Sequence, residues 1–110
     1  MKTLALYGRS ILLVEDEPLI AIELRQSLES AGAYVFGATQ VPHALQLAGH
    51  PDVSAAVLSS RLGEVDSMAI RSRLEPRGIP FMVYDDHNKH EPWPNVMRKS
   101  KTARWESGLT

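Results

Sequence analysis

Apolar positions in this chain come in short blocks, separated by stretches with a different period. Residues 10–15, SILLVE, form a continuous apolar run closed by an acid. Such a run predicts a strand buried on both faces. The next segment changes rhythm. Ile20, Leu24, Leu28 and Ala31 recur at helical spacing, while Arg25, Gln26, Glu29 and Ser30 fall largely elsewhere. That pattern predicts an amphipathic helix. Asp16 is placed to cap it, Glu17 suits the positive end of its dipole, and Pro18 fits a first turn. Gly32 stands where a helix-ending glycine would.

The alternation then repeats. AYVFGA (33–38) predicts a second strand, and VPHALQLAG (41–49) a short helix stopped by Gly49. VSAAVL (53–58) predicts a third strand. VDSMAIRSRLEPRG (65–78) predicts a helix with Met68, Ile70 and Leu74 as apolar positions, and IPFMVY (79–84) a fourth strand. Strands that alternate with helices imply a parallel sheet covered on both faces. Residues 1–9 read as a loose lead-in. Beyond Tyr84 the pattern weakens. DDHNKHEPWPN (85–95) is polar, with two prolines, and reads mostly as loop. VMRKS (96–100) fits a fifth short strand, and KTARWESG (101–108) a final turn or two of helix.

Composition narrows the options. A chain of 110 residues fits one domain, here residues 10–110 after the lead-in. With 44% apolar and 23% charged residues, a globular protein is expected. A net charge of −1 selects neither nucleic acid nor anionic lipid as partner. The absence of cysteine removes disulfides, thiolate catalysis and thiolate-bound zinc. The longest apolar run, ILLV, is far below a bilayer span, and no targeting segment is evident. A cytoplasmic protein is the default expectation.

ILLVEDEP with its following helix, AAVLS…LG, GIPFMVY and VMRK together resemble the receiver domain of two-component response regulators, over roughly residues 10–100. The resemblance implies an α/β fold: a flavodoxin-like (CheY-like), doubly wound, five-stranded parallel sheet with its site at the carboxyl ends of the strands. Here the fourth helix is shortened or missing, because about eleven positions separate Asp85 from Val96, and the last helix is short. Receivers hold Mg²⁺ with an acidic pair after strand one. An aspartate ending strand three takes phosphate from a histidine kinase. A Thr or Ser after strand four and a Lys after strand five bind the phosphoryl oxygens.

Carried over to this chain, Glu15 and Asp16 match the acidic pair, although acids at a helix start also follow from the dipole alone. Ser59 falls on the phosphoacceptor position, which is thereby lost. Arg61 falls where the family uses a backbone carbonyl as metal ligand. Asp85 falls on the switch position. Lys99 matches the family's lysine, with Ser100 in place of the usual proline. Receiver phosphorylation needs a carboxylate nucleophile, and a serine hydroxyl is poor without an adjacent base. His43, His50, His87 and His90 all lie outside the strand-end positions. Aspartyl phosphorylation at position 59 is therefore expected to be absent, and no catalytic residue is assigned.

At most a weak Mg²⁺ site remains, from Glu15, Asp16 and the Arg61 carbonyl. The Arg61 side chain competes for it by folding back onto either acid. Two readings of Asp85 stay open: partner of Lys99, or start of a solvated loop. The DDHNKHE stretch reads as polar loop rather than a His87–His90 metal pair. The RKSKTARW stretch reads as a solvated helix rather than a nucleic-acid contact.

The expected function is that of an atypical receiver, or pseudo-receiver. It would signal through phosphorylation-independent contact with a histidine kinase, another regulator or an output protein, or with a second copy of itself. Neither nucleic acid nor membrane is expected as partner. Helix one or the 92–94 segment would supply the contact. Two rivals remain: a phosphorelay receiver with a non-standard acceptor such as Asp85, and a degenerate remnant without a regulated role.

Overall fold

The computed structural model describes residues 6–84. The elements run β1 (Ser10–Val14), α1 (Pro18–Ser30), β2 (Tyr34–Ala38), α2 (Val41–Leu47), β3 (Ala55–Ser59), α3 (Glu64–Leu74) and β4 (Phe81–Tyr84). One 3₁₀ turn, Ser60–Leu62, follows β3, and a second, Glu75–Arg77, follows α3. All strand pairs are parallel, in the order β2-β1-β3-β4. The expected fifth strand and the segments around it lie outside the described residues, as do Asp85 and Lys99.

The sheet is covered on both sides, and the strand period of two decides which residue goes where. Ile11 and Leu13 of β1, Ala55 and Val57 of β3, and Met82 and Tyr84 of β4 pack with Leu24 and Leu28 of α1. Their alternates, Leu12, Val14, Ala56, Leu58 and Phe81, pack with Ala44 of α2 and with Ile70 and Leu74 of α3. Residues 11–15 and 55–59 are all buried, which is why both central strands read as unbroken apolar runs. No helix among the described residues is long and apolar enough to cross a membrane.

Several boundaries differ from the sequence reading, each for a local reason. The N-cap of α1 is Glu17, not Asp16; its carboxylate accepts from the Leu19 N–H at 3.4 Å, and Pro18 follows it. Gly32 does end α1 as expected, with φ of 101°. Strand β3 starts two residues late, because Ser54 closes the amino end of the β1–β3 pair instead. Its N–H donates to the Ser10 carbonyl at 2.8 Å, and its hydroxyl accepts from the Ser10 N–H at 3.2 Å. β3 then runs one residue further than expected, to Ser59.

Helix α3 stops at Leu74 rather than at 78. Pro76 lacks an N–H and crowds the preceding turn, so the chain tightens into a 3₁₀ turn. That turn delivers Arg77 to the carboxyl end of α2, where its guanidinium donates to the Ala48 and His50 carbonyls. Both carbonyls follow Leu47, the last residue of α2; the His50 carbonyl also accepts from the Val53 N–H at 3.2 Å, and the cation sits at the negative end of the helix. Met68 is exposed, unlike Ile70 and Leu74, because it lies on the opposite side of the helix. The described part of the lead-in is not loose. Leu6 is buried, and its N–H donates to the Ala31 carbonyl at 2.8 Å.

Candidate functional site at the ends of the central strands

The chain leaves β1 toward β2 on one side and later returns to β3 on the other. The crevice between the carboxyl ends of β1 and β3 is thus the switch point of the sheet, where open α/β folds place their ligands. Val14 pairs with Leu58, so the next residues, Glu15 and Ser59, emerge side by side. Ser59 in turn pairs with Tyr84 of β4. This register brings three of the sequence-predicted residues, Glu15, Ser59 and Arg61, into one place. Asp16 stands at the rim, with its side chain 56% exposed.

Glu15 is the unusual member. Its side chain is only 1% exposed. One carboxylate oxygen, Oε2, accepts from Arg61 Nη2 at 2.6 Å and from the Glu17 N–H at 2.9 Å. The other, Oε1, is buried with no hydrogen-bond partner among the described residues. The same Arg61 nitrogen lies 4.0 Å from Asp16 Oδ1. A buried carboxylate needs a cation or several donors beside it, and here a guanidinium supplies most of that need.

Ser59 is also buried, and its hydroxyl accepts from the Arg61 N–H at 3.1 Å. It closes a tight serine turn that starts the first 3₁₀ segment and fixes the root of the arginine. Sequence reasoning missed this second use of the serine. The signal was the spacing itself, a hydroxyl two residues before the cation. Arg71 of α3 was missed too. Its guanidinium lies 5.7 Å from the centroid of the Phe81 ring, beside Ser59, Ser60 and Ser67 in a cleft of about 310 Å³. Nothing in the sequence marks it, since an arginine on an amphipathic helix is ordinary.

Gly63 joins the turn after β3 to α3 with φ 88° and ψ 159°, a region almost confined to glycine. A Cβ there meets no atom within 4 Å, so strain alone opposes a side chain. Gly63→Ala is expected to cost about 1 kcal/mol in urea unfolding, through backbone strain.

The donor set does not fit Mg²⁺. Among the described residues no group of three or more acidic or imidazole side chains is placed to hold a metal ion. One Glu15 oxygen is already shared between a guanidinium and an amide. Position 59 offers a hydroxyl in place of a carboxylate, and Mg²⁺ favours charged oxygen in near-octahedral array. Among the described residues, His50 is engaged elsewhere. His50 Nδ1 accepts from the Asp52 N–H at 3.0 Å, and its ring packs against Phe36 in a tilted pair with centroids 4.7 Å apart.

A four-stranded parallel sheet in this order, with an acidic pair at its switch point, is the doubly wound α/β architecture that receiver domains share. Solved structures agree. SdrG from Pseudomonas melonis, in its BeF₃-activated conformation, is 34% identical; the match covers 76% of this chain and 69% of that one, with a TM-score of 0.56. The response regulator PhyR from Brucella abortus is 28% identical over 67% of this chain, with a TM-score of 0.58. This chain spans about a third of that PhyR chain (32%). The receiver domain of PhyR from Erythrobacter litoralis is 21% identical, covers 78% of this chain and 69% of that one, and has a TM-score of 0.62. No protein-family model matches the chain, and no curated protein does. The chain belongs to the response-regulator receiver domains.

Proposed function

We propose that this domain is a pseudo-receiver: a cytoplasmic binding module, not an enzyme, that signals by protein contact without carrying a phosphoryl group at the end of β3. The observation that supports this reading most is Ser59. It is a buried hydroxyl committed to the Arg61 N–H, where phosphoryl transfer needs a free carboxylate. The partner is a histidine kinase, another regulator or an output protein, and a second copy of the chain is the further option. Contact is assigned to the start of α1, where Leu19 and Ile22 are 72% and 52% exposed beside the acidic cleft. Ile22 also borders a shallow groove of about 260 Å³, shared with Pro18, Ala21 and Thr39.

The test is direct. The full chain is incubated with Mg²⁺ and acetyl phosphate, then with the histidine kinases of its own cell, and the intact mass is measured. No phosphoryl adduct is expected. An adduct that disappears in Ser59→Ala or Asp85→Asn would replace the reading with that of a working phosphoacceptor.

A further inference from the structure

We infer that the Arg61 guanidinium is the resident cation of the acidic cleft, and that it excludes divalent ions from Glu15 and Asp16. This goes beyond the pseudo-receiver reading and stands apart from it. A chain that accepted phosphate at another residue would still hold its arginine here.

Three observations converge on one nitrogen. Arg61 Nη2 lies 2.6 Å from the buried Glu15 Oε2 and 4.0 Å from Asp16 Oδ1, so a single cationic group reaches both acids. Its main chain is held by the Ser59 hydroxyl at 3.1 Å, which aims the side chain back across the strand ends. Glu15 is 1% exposed, and its Oε1 has no hydrogen-bond partner among the described residues. A buried acid with an unused oxygen beside a second carboxylate at the rim would attract a hard cation if the place were open.

The guanidinium closes that place in a way a lysine would not. It cannot lose its proton at any ordinary pH, so the buried Glu15 charge stays balanced without an added ion. An entering divalent ion must break a short charge-assisted contact and then sit beside a positive group. The serine and the arginine thus act together. One removes the acceptor carboxylate, and the other removes the need for a metal. The state of the cleft becomes independent of Mg²⁺ concentration.

The experiment uses Mn²⁺ as a paramagnetic probe, reading free Mn²⁺ by EPR with the full chain, wild type against Arg61→Ala. The wild type is expected to leave millimolar Mn²⁺ free. Arg61→Ala is expected to bind it about tenfold more tightly or better, and Glu15→Gln in the Arg61→Ala background to abolish the gain. If Arg61→Ala does not fold, Arg61→Met keeps the aliphatic stem, loses the charge and carries the same expectation. Wild type binding Mn²⁺ as tightly as the folded variant would overturn the inference. So would a folded variant with no gain over wild type.

Discussion

Leu28→Ala is expected to lower the unfolding free energy by about 3 kcal/mol, the middle of the range for buried Leu→Ala changes. Leu28 is fully buried on the inner face of α1, in the apolar cluster that this helix shares with one face of the sheet. It sits in a close-packed cluster whose neighbours belong to several elements and cannot collapse into the gap. Most of the lost volume therefore stays as a cavity. Domains of this size are stable by about 5–15 kcal/mol, so this is a large share of the total. The melting temperature should fall by about 10–20 °C, at several degrees per kcal/mol. Leu19→Ala is the matched control. It removes the same atoms from the same helix at a position that is 72% exposed, and should change stability by less than about 0.5 kcal/mol. Equal losses at the two positions would mean that α1 does not pack on the sheet as described.

This contrast shows what was legible in the chain beforehand. The helical spacing of Leu24 and Leu28 marked the core face of α1, and both are buried. The apolar runs at 11–14 and 55–58 marked the two central strands, because residues buried on both faces admit no polar alternates. The period was less informative in α3. Its apolar residues are few, and Met68 shares neither the face of Ile70 nor that of Leu74. The boundaries depended on tertiary hydrogen bonds that no local pattern records. Ser54 closes the amino end of the central strand pair through Ser10, and Pro80 offers only its carbonyl to Ala56. At the site, the residue types at the strand ends were readable from the resemblance. The burial of Glu15 and the turn that ties Ser59 to Arg61 were not, since both arise from strands that meet only in the folded chain.

The pair in that cleft should prove asymmetric. Arg61→Ala is expected to cost about 2 kcal/mol, because it leaves a buried carboxylate without its cation. The figure sits below that for a fully buried pair. Arg61 is 39% exposed, water can follow the deleted side chain inward, and the Glu17 N–H still donates to Oε2. Glu15→Gln should cost less, about 1 kcal/mol, because the orphaned guanidinium can turn to solvent and the amide oxygen keeps one acceptor. The double variant should cost less than the sum, with a coupling of about 1 kcal/mol or more. Urea unfolding of the four proteins measures all three quantities. The Arg25–Glu29 pair provides the scale for a surface contact. Both of its side chains are more than two-fifths exposed, at 44% and 48%, and 3.5 Å apart across one helical turn. It should contribute about 0.3–0.5 kcal/mol. Raising the salt to about 0.5 M should erase that contribution and leave most of the Arg61–Glu15 coupling, since ions screen buried charges poorly. A coupling that vanished with salt would place Glu15 in water, and the cleft would lose both its buried acid and its reason to hold the arginine.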